Sequence, residues 1–244
     1  MTSRGELVGV VHAEATSGAS AAAEPRQDIE PRWPAVVCIL IAMALYVSLP
    51  SEIISGSHAT TVFRILVPVL ELALLIPLAV TAPHRHVYES GKRRMASIAL
   101  TAIVTLANIA ALCFLIHFLV TGGSSVHGKQ LLLGGAQIWW TNVIVFGLWF
   151  WELDGGGPPA RLREPKADRD FAFIQMTDPE VSKKHWRPHF FDYFYVSFTN
   201  ASAFSPTDTM PLTRTAKQLM LIESTISLLT LLLVAARAVN ILNG

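Results

Sequence analysis

The chain has 244 residues, of which 52% are hydrophobic and 15% charged, with a mean hydropathy of +0.44; soluble chains carry roughly a quarter charged residues. That balance excludes an ordinary soluble domain, and a formal net charge of +1, from 19 Lys and Arg against 18 Asp and Glu, excludes the basic footprint of a nucleic-acid binder. Both cysteines, Cys38 and Cys113, fall inside apolar runs and are expected as thiols of the core, not as a disulfide or metal site.

Residues 1–32 are rich in Ala, Ser, Glu and Gly without apolar periodicity, which predicts a disordered N-terminal tail. They lack the layout of a signal peptide, since the first apolar run begins only at Trp33, and the tail is expected to stay on the protein. A membrane-spanning helix needs about 20 mostly apolar residues. Five stretches read as spans: Trp33–Leu49, Ile65–Pro83, Met95–Val120, Leu131–Trp151 and Leu219–Leu242. Residues 33–151 are thus expected as a four-helix transmembrane region and 152–188, with seven Lys and Arg and a Gly155-Gly156-Gly157-Pro158-Pro159 breaker, as a polar loop. The triple glycine, followed by prolines and not by a strand or helix, reads as a linker and not as a nucleotide cradle.

The aromatic segment that follows, from Phe190 to Phe204, is too apolar for a loop. About 15 residues at ~1.5 Å each reach roughly 22 Å, short of the ~30 Å hydrocarbon core. A half-length re-entrant helix or a sixth crossing are the two readings left open. Orientation follows from the basic residues: Arg85, Lys92, Arg93 and Arg94 place the connection between the second and third spans in the cytoplasm, together with the N-terminus and the 152–188 loop.

Ionisable and amide groups inside spans come next, because a charge at the bilayer centre costs ~3 kcal/mol on insertion scales. Glu71 lies seven residues after Arg64 on the same helix face, with Asn108, His117 and Asn142 as candidate partners across the bundle. It is read as a hydrogen-bond node ahead of an ion or proton site. Glu223 and Arg237 are placed near the ends of the last span and expected to snorkel, and Trp149 and Trp151 to form an aromatic belt, whereas Trp139 and Trp140 are expected between helices. His117 stands alone at mid-span, so no haem is expected; with no H-E-x-x-H, G-x-S-x-G, phosphate loop or zinc-spaced Cys pair, neither are a cofactor or an enzymatic activity.

Asp192-Tyr193-Phe194-Tyr195-Val196-Ser197-Phe198-Thr199, then Asp208, Pro211, Leu212 and Thr213, then an apolar helix ending in Val234-Ala235-Ala236-Arg237-Ala238-Val239, form one further pattern. It resembles the pore module of the two-helix prokaryotic potassium-channel superfamily, in which an aromatic pore helix, a T-V-G-Y-G filter followed by Asp and Pro, and an inner helix succeed one another. The resemblance implies a pore turn at Ser202, Phe204, Ser205, Pro206, Thr207 and Asp208 and a tetramer. The filter positions themselves depart from it: Ala203, Phe204, Ser205, Pro206 and Thr207 supply no glycine, and Pro206 fixes its own φ, so stacked carbonyls selecting potassium are not expected. An alternative for the turn is an interfacial one, with Asp208 and Thr209 capping the next helix.

The whole reads as an all-α, polytopic membrane protein of the bacterial cytoplasmic membrane. It has five spans plus a half-length segment, and residues 189–244 form a pore-like hairpin. Its expected function is channel-like or permeation-related, with lipid and further copies of the chain as partners and no nucleic acid. The alternative is a non-conducting membrane scaffold. The channel orientation would put the turn outside and Arg237 inside, the reverse of what five spans from a cytoplasmic N-terminus give.

Overall fold

The computed structural model describes residues 33–47, 69, 72–73, 91–121, 128–163, 168–178, 180, 186–203, 205 and 208–242. The expected tail and most of the expected second span, Glu71 included, lie outside them. Among the described residues five longer helices are α1 (Trp33–Val47), α2 (Gly91–Thr121), α3 (Gly128–Leu153), the shorter α6 (Phe190–Ala203) after a cap region, and α7 (Arg214–Leu242), which closes the chain. Between α3 and α6 come a 3-10 turn (Asp154–Gly156), α4 (Pro158–Arg163), strand β1 (Phe171–Phe173) and one turn of helix, α5 (Ile174–Thr177); strand β2 (Thr209–Pro211) precedes α7.

The described residues are thus mostly helical, and three helices are long and apolar enough to cross a membrane: Ser97–His117 in α2, Leu132–Gly156 running out of α3, and Arg214–Ala236 in α7. Their outer faces are apolar. Met95, Ile103, Leu106 and Phe114 on α2, and Leu221, Ile222, Leu228, Leu229, Leu231 and Leu232 on α7, are all exposed, a surface suited to lipid and not to water. Cys113 belongs to this outer face of α2, and Cys38 is half-buried, which corrects the expectation of two core thiols.

Helix α3 is the central element, with residues 141–148 all buried. Against α6 it runs antiparallel in a regular register: the Trp151 ring meets Phe190 edge-on at 5.8 Å, Gly147 meets Phe194, the Val143 carbonyl accepts from Ser197, and Trp139 Nε1 donates to the Ala201 carbonyl. Steps of three or four on both helices keep these residues on one face of each. Gly147 is small because a β-carbon there would lie 3.2 Å from the Phe194 backbone. Trp151 is therefore core, 2% exposed, and not part of a belt. Trp139 sits edge-on to Phe198 at 5.6 Å, as expected of a residue between helices.

At the C-terminal end of α3 the chain makes a turn that only glycine accommodates easily, with φ of +56°, +81° and +93° at Gly155, Gly156 and Gly157. Pro158 then starts α4 at a position where its missing N–H costs nothing. This is a fixed turn where the composition suggests a linker. Arg161, on α4, reaches back so that Nη1 donates to the carbonyls of Trp151 (2.7 Å) and Asp154 (2.8 Å), covering the open end of α3. Its guanidinium also lies 5.0 Å over the Tyr193 ring.

Strand β1 pairs antiparallel with β2, with Phe171 opposite Pro211 and Phe173 opposite Thr209. Phe171 and Phe173 point inward against Phe150 and Tyr193. The start of α7 is tied to the same end of the bundle, because Thr213 Oγ1 donates to Asp170 Oδ1 at 2.5 Å and the Leu212 N–H to the Asp170 carbonyl. Helices α6 and α7 therefore both begin at the C-terminal end of α3 and run the same way, and the chain gets from Ala203 back to that end by Asp208, whose carbonyl accepts from Ile174 N–H. The first turns of α2 are there too: Arg94 Nε lies 3.5 Å from where a β-carbon on Gly157 would stand.

The cap of α7 is Thr213, whose hydroxyl accepts from Ala216 N–H at 3.2 Å. Thr209 is in β2 and accepts no such role, which overturns the expected capping by Asp208 and Thr209. Thr213→Val should accordingly lower the stability of the purified protein in detergent by about 1–2 kcal/mol, since it loses a cap and the bond to Asp170; Thr209→Val should cost less, and comparing the two melting temperatures checks the assignment.

Candidate functional site

An apolar helix that carries Glu223, Ser227 and Thr230 at spacings of four and three places all three on one face. In α7 that face, continued by Ala216 and Met220, is the buried one, and the three polar residues are each 0% exposed. The arrangement inverts the usual amphipathic helix, with polar groups inside and leucines outside. Glu223 is the ninth residue after Arg214, about 13 Å along the helix, so it lies well inside the apolar window that runs to Ala236. It does not snorkel. The expectation failed because α7 begins at Arg214, a turn and more before the apolar run at Leu219.

The carboxyl is held by α6. Ser197 Oγ contacts Oε1, in a short hydrogen bond, and Asn200 Nδ2 donates to Oε2 at 2.6 Å. The same Asn200 Nδ2 donates to the Met220 carbonyl at 3.0 Å, and the same Ser197 hydroxyl lies 2.7 Å from the Val143 carbonyl. From α3, Asn142 Nδ2 donates to the Glu223 backbone carbonyl (3.1 Å) and to Ser227 Oγ (3.0 Å), while Asn142 Oδ1 is buried with no hydrogen-bond partner. Asn142, Ser197, Asn200, Glu223 and Ser227 thus form a five-residue polar cage where three helices meet, all of them 3% exposed or less.

Of the residues singled out in the sequence, Asn142 is in this cage, though its partners are Glu223 and Ser227. Asn108 is buried between α2 and α3, its Nδ2 donating to the Ile138 carbonyl at 3.4 Å. His117 is exposed on α2. In the turn, Ser202 is exposed and donates to the Phe198 carbonyl, Ser205 is exposed, and Asp208 is half-buried, accepting from the Thr209 hydroxyl at 2.9 Å. Phe204, Pro206, Thr207 and Glu71 lie outside the described residues. Sequence reasoning gave Glu223 only a snorkelling role and Ser197 only a place in the pore-helix pattern, and missed Asn200 and Ser227. The available signal was the polar spacing on the two helices, 197 with 200 and 223 with 227 and 230.

A second polar centre is the cap at Asp154, 0% exposed. Its Oδ1 accepts from the Asp170 and Phe171 N–H groups at 2.7 and 3.1 Å, and its Oδ2 from Tyr193 Oη at 2.5 Å and Arg169 Nη1 at 3.3 Å. Two of these donors are backbone N–H groups at the start of β1 and a third is the hydroxyl of Tyr193 in the first turn of α6, so the centre ties both segments to the end of α3. Among the described residues, no group of three or more His, Cys, Asp or Glu side chains is placed to hold a metal ion.

No family model matches the chain, and comparison with curated proteins and with solved structures finds no similar one.

The cage predicts a coupled pair. Asn200→Ala strips a donor from both the Glu223 carboxyl and the Met220 carbonyl and should cost about 1–3 kcal/mol. Ser197→Ala should cost a similar amount, and the double variant should fall short of the sum by at least ~0.5 kcal/mol because both act on one carboxyl. Thermal melts of the four proteins in one detergent measure the cycle; strict additivity would mean that the two bonds are independent.

Proposed function

We propose that the chain is an integral protein of the bacterial cytoplasmic membrane with five spans, in which α6 is a re-entrant half-helix and residues 202–208 form a channel-like, non-potassium permeation turn. The observation that carries this reading is the common starting end of α6 and α7. A sixth full crossing would start α7 from the opposite end. Fourteen residues of helix reach about 21 Å, less than the bilayer core. A return within five residues leaves hydroxyls of the turn at membrane depth, where irregular backbone is tolerated only if protein buries it or water lines it.

The basic residues support an orientation. Arg94 in the first turns of α2 and Arg161 and Arg169 between α3 and β1 stand at the Asp154 end of the bundle, and the positive-inside rule assigns such an end to the cytoplasm. The turn then opens toward the cytoplasm and the C-terminus lies outside, the reverse of the potassium-channel arrangement that the pattern of Asp192 to Val239 resembles. A central path built from one hairpin per chain needs a rotationally symmetric homo-oligomer, with a tetramer as the form the resemblance suggests. Neither nucleic acid nor a cofactor nor enzymatic chemistry enters the proposal.

The glycine-free stretch from Ala203 to Thr207 favours a second reading, a non-conducting scaffold whose hairpin is held rigid by the Glu223 cage. Flux separates the two. In vesicles, Asp208→Asn should lower cation flux about fivefold, the effect of removing ~1 kcal/mol of attraction at the mouth, and Phe204→Ala should raise it by widening the turn. A folded, oriented protein with no flux above the empty-vesicle leak would leave the scaffold.

A further inference from the structure

The five cage residues hold one carboxyl and no cation. The partners of the Glu223 side chain are Ser197 and Asn200, both neutral, and its own helix is braced by neutral Asn142. Among the described side chains, the ionisable residues on the helices packed around it sit elsewhere. Glu152 and Asp154 on the α3 side, Asp192 and Tyr193 on α6 and Lys217 on α7 lie toward the cap end; Tyr195 on α6 and His117 on α2 are exposed. None of them is among its partners. An ionised carboxylate enclosed in this way, with no opposite charge beside it among the described residues, is costly enough that such groups acquire a neutralising partner.

The hydrogen inventory says which. Ser197 has a single hydroxyl hydrogen, yet its oxygen is within hydrogen-bond reach of two oxygens, the Val143 carbonyl and Glu223 Oε1. A carbonyl can only accept. If the hydroxyl donates to Val143, the contact with Glu223 needs a hydrogen on the carboxyl, and the chain Glu223 Oε1–H to Ser197 Oγ–H to the Val143 carbonyl uses each hydrogen once. Asn200 completes the set by donating to Oε2, which accepts in either protonation state. Beside this chain, Asn142 Oδ1 is an unpartnered buried acceptor on a residue that is 0% exposed.

We propose that the cage is an intramembrane proton-binding site in which Glu223 holds a proton on Oε1 and passes the hydrogen bond through Ser197 to Val143. Loading is a simple addition: a hydronium ion gives one proton to the carboxylate oxygen, an O–H bond forms, and water leaves. Because Ser197 and Asn200 also anchor α6, the occupant of the carboxyl and the position of the half-helix are linked. The site does not depend on conduction by the turn, and its test reads no flux.

The test is infrared spectroscopy of the full chain in lipid vesicles at neutral pH. Wild type should show the carbonyl stretch of a protonated carboxylic acid that Glu223→Gln removes, and Ser197→Ala should shift that band, since the acid loses its acceptor. Gln reproduces the neutral acid, its Nε2 donating to Ser197 and its Oε1 accepting from Asn200, so its melting temperature should match wild type. Loss of a carboxylate band in place of an acid band would overturn the proposal. So would a failure of Glu223→Gln to fold, because it would mean that the cage requires the ionised form.

Discussion

The Asp154 carboxylate accepts from two backbone N–H groups at the start of β1, from the Tyr193 hydroxyl in the first turn of α6 and from the Arg169 guanidinium, so two segments distant in sequence must begin where α3 ends. Asp170 extends the constraint to a third by binding Gly155 N–H on one oxygen and the Thr213 hydroxyl on the other. Geometry beyond this point follows from lengths. With the starts of α6 and α7 pinned together and only ten residues between Ala203 and Arg214, α6 has to come back to the end it left. The three left-handed glycines matter for the same reason, since they let the chain turn tightly enough to bring Asp170 beneath Asp154.

What keeps α6 seated along its length is of another kind. In lipid the hydrophobic effect gives helices no reason to associate, and packing of small residues and interhelical hydrogen bonds do that work instead. Both occur here. Gly147 lets the backbones of α3 and α6 approach, and the Ser197, Asn200 and Asn142 side chains reach across to α7 and α3. Individual bonds of this kind average ~0.6 kcal/mol in membranes, yet the polar groups are enclosed, so losing one partner strands another. These bonds make Glu223 and its neighbours the second requirement of the α6–α7 hairpin after Asp154.

Much of this architecture was legible from residue patterns. Apolar runs located α1, α2, α3 and α7 to within about five residues, whereas the length of the aromatic segment left α6 open between a half-length helix and a sixth crossing. Helix starts were less legible, because polar first turns such as Arg214-Thr215-Ala216-Lys217 look like loop until the cap at Thr213 is seen, and that error moved Glu223 to a helix end. Asp154 and Arg161 carried no signal at all. Their neighbours in sequence are glycines and prolines, and their roles arise from Asp170, Tyr193 and the carbonyl of Trp151, contacts that no local pattern encodes. Trp151 misled for a related reason: a tryptophan at a helix end suits a membrane interface, but here the cap folds over that end and buries the ring.

The measurement closest to the heart of the account is sided cysteine labelling in a background without Cys38 and Cys113. Single cysteines at Ser205, at Asp168 in the cap and at Gly244 would be challenged with a membrane-impermeant reagent from each face. The common start of α6 and α7 predicts that Ser205→Cys and Asp168→Cys are labelled from one and the same face, and Gly244→Cys from the other. Labelling of Ser205→Cys from the face that labels Gly244→Cys would show that α6 crosses, and would contradict the re-entrant hairpin.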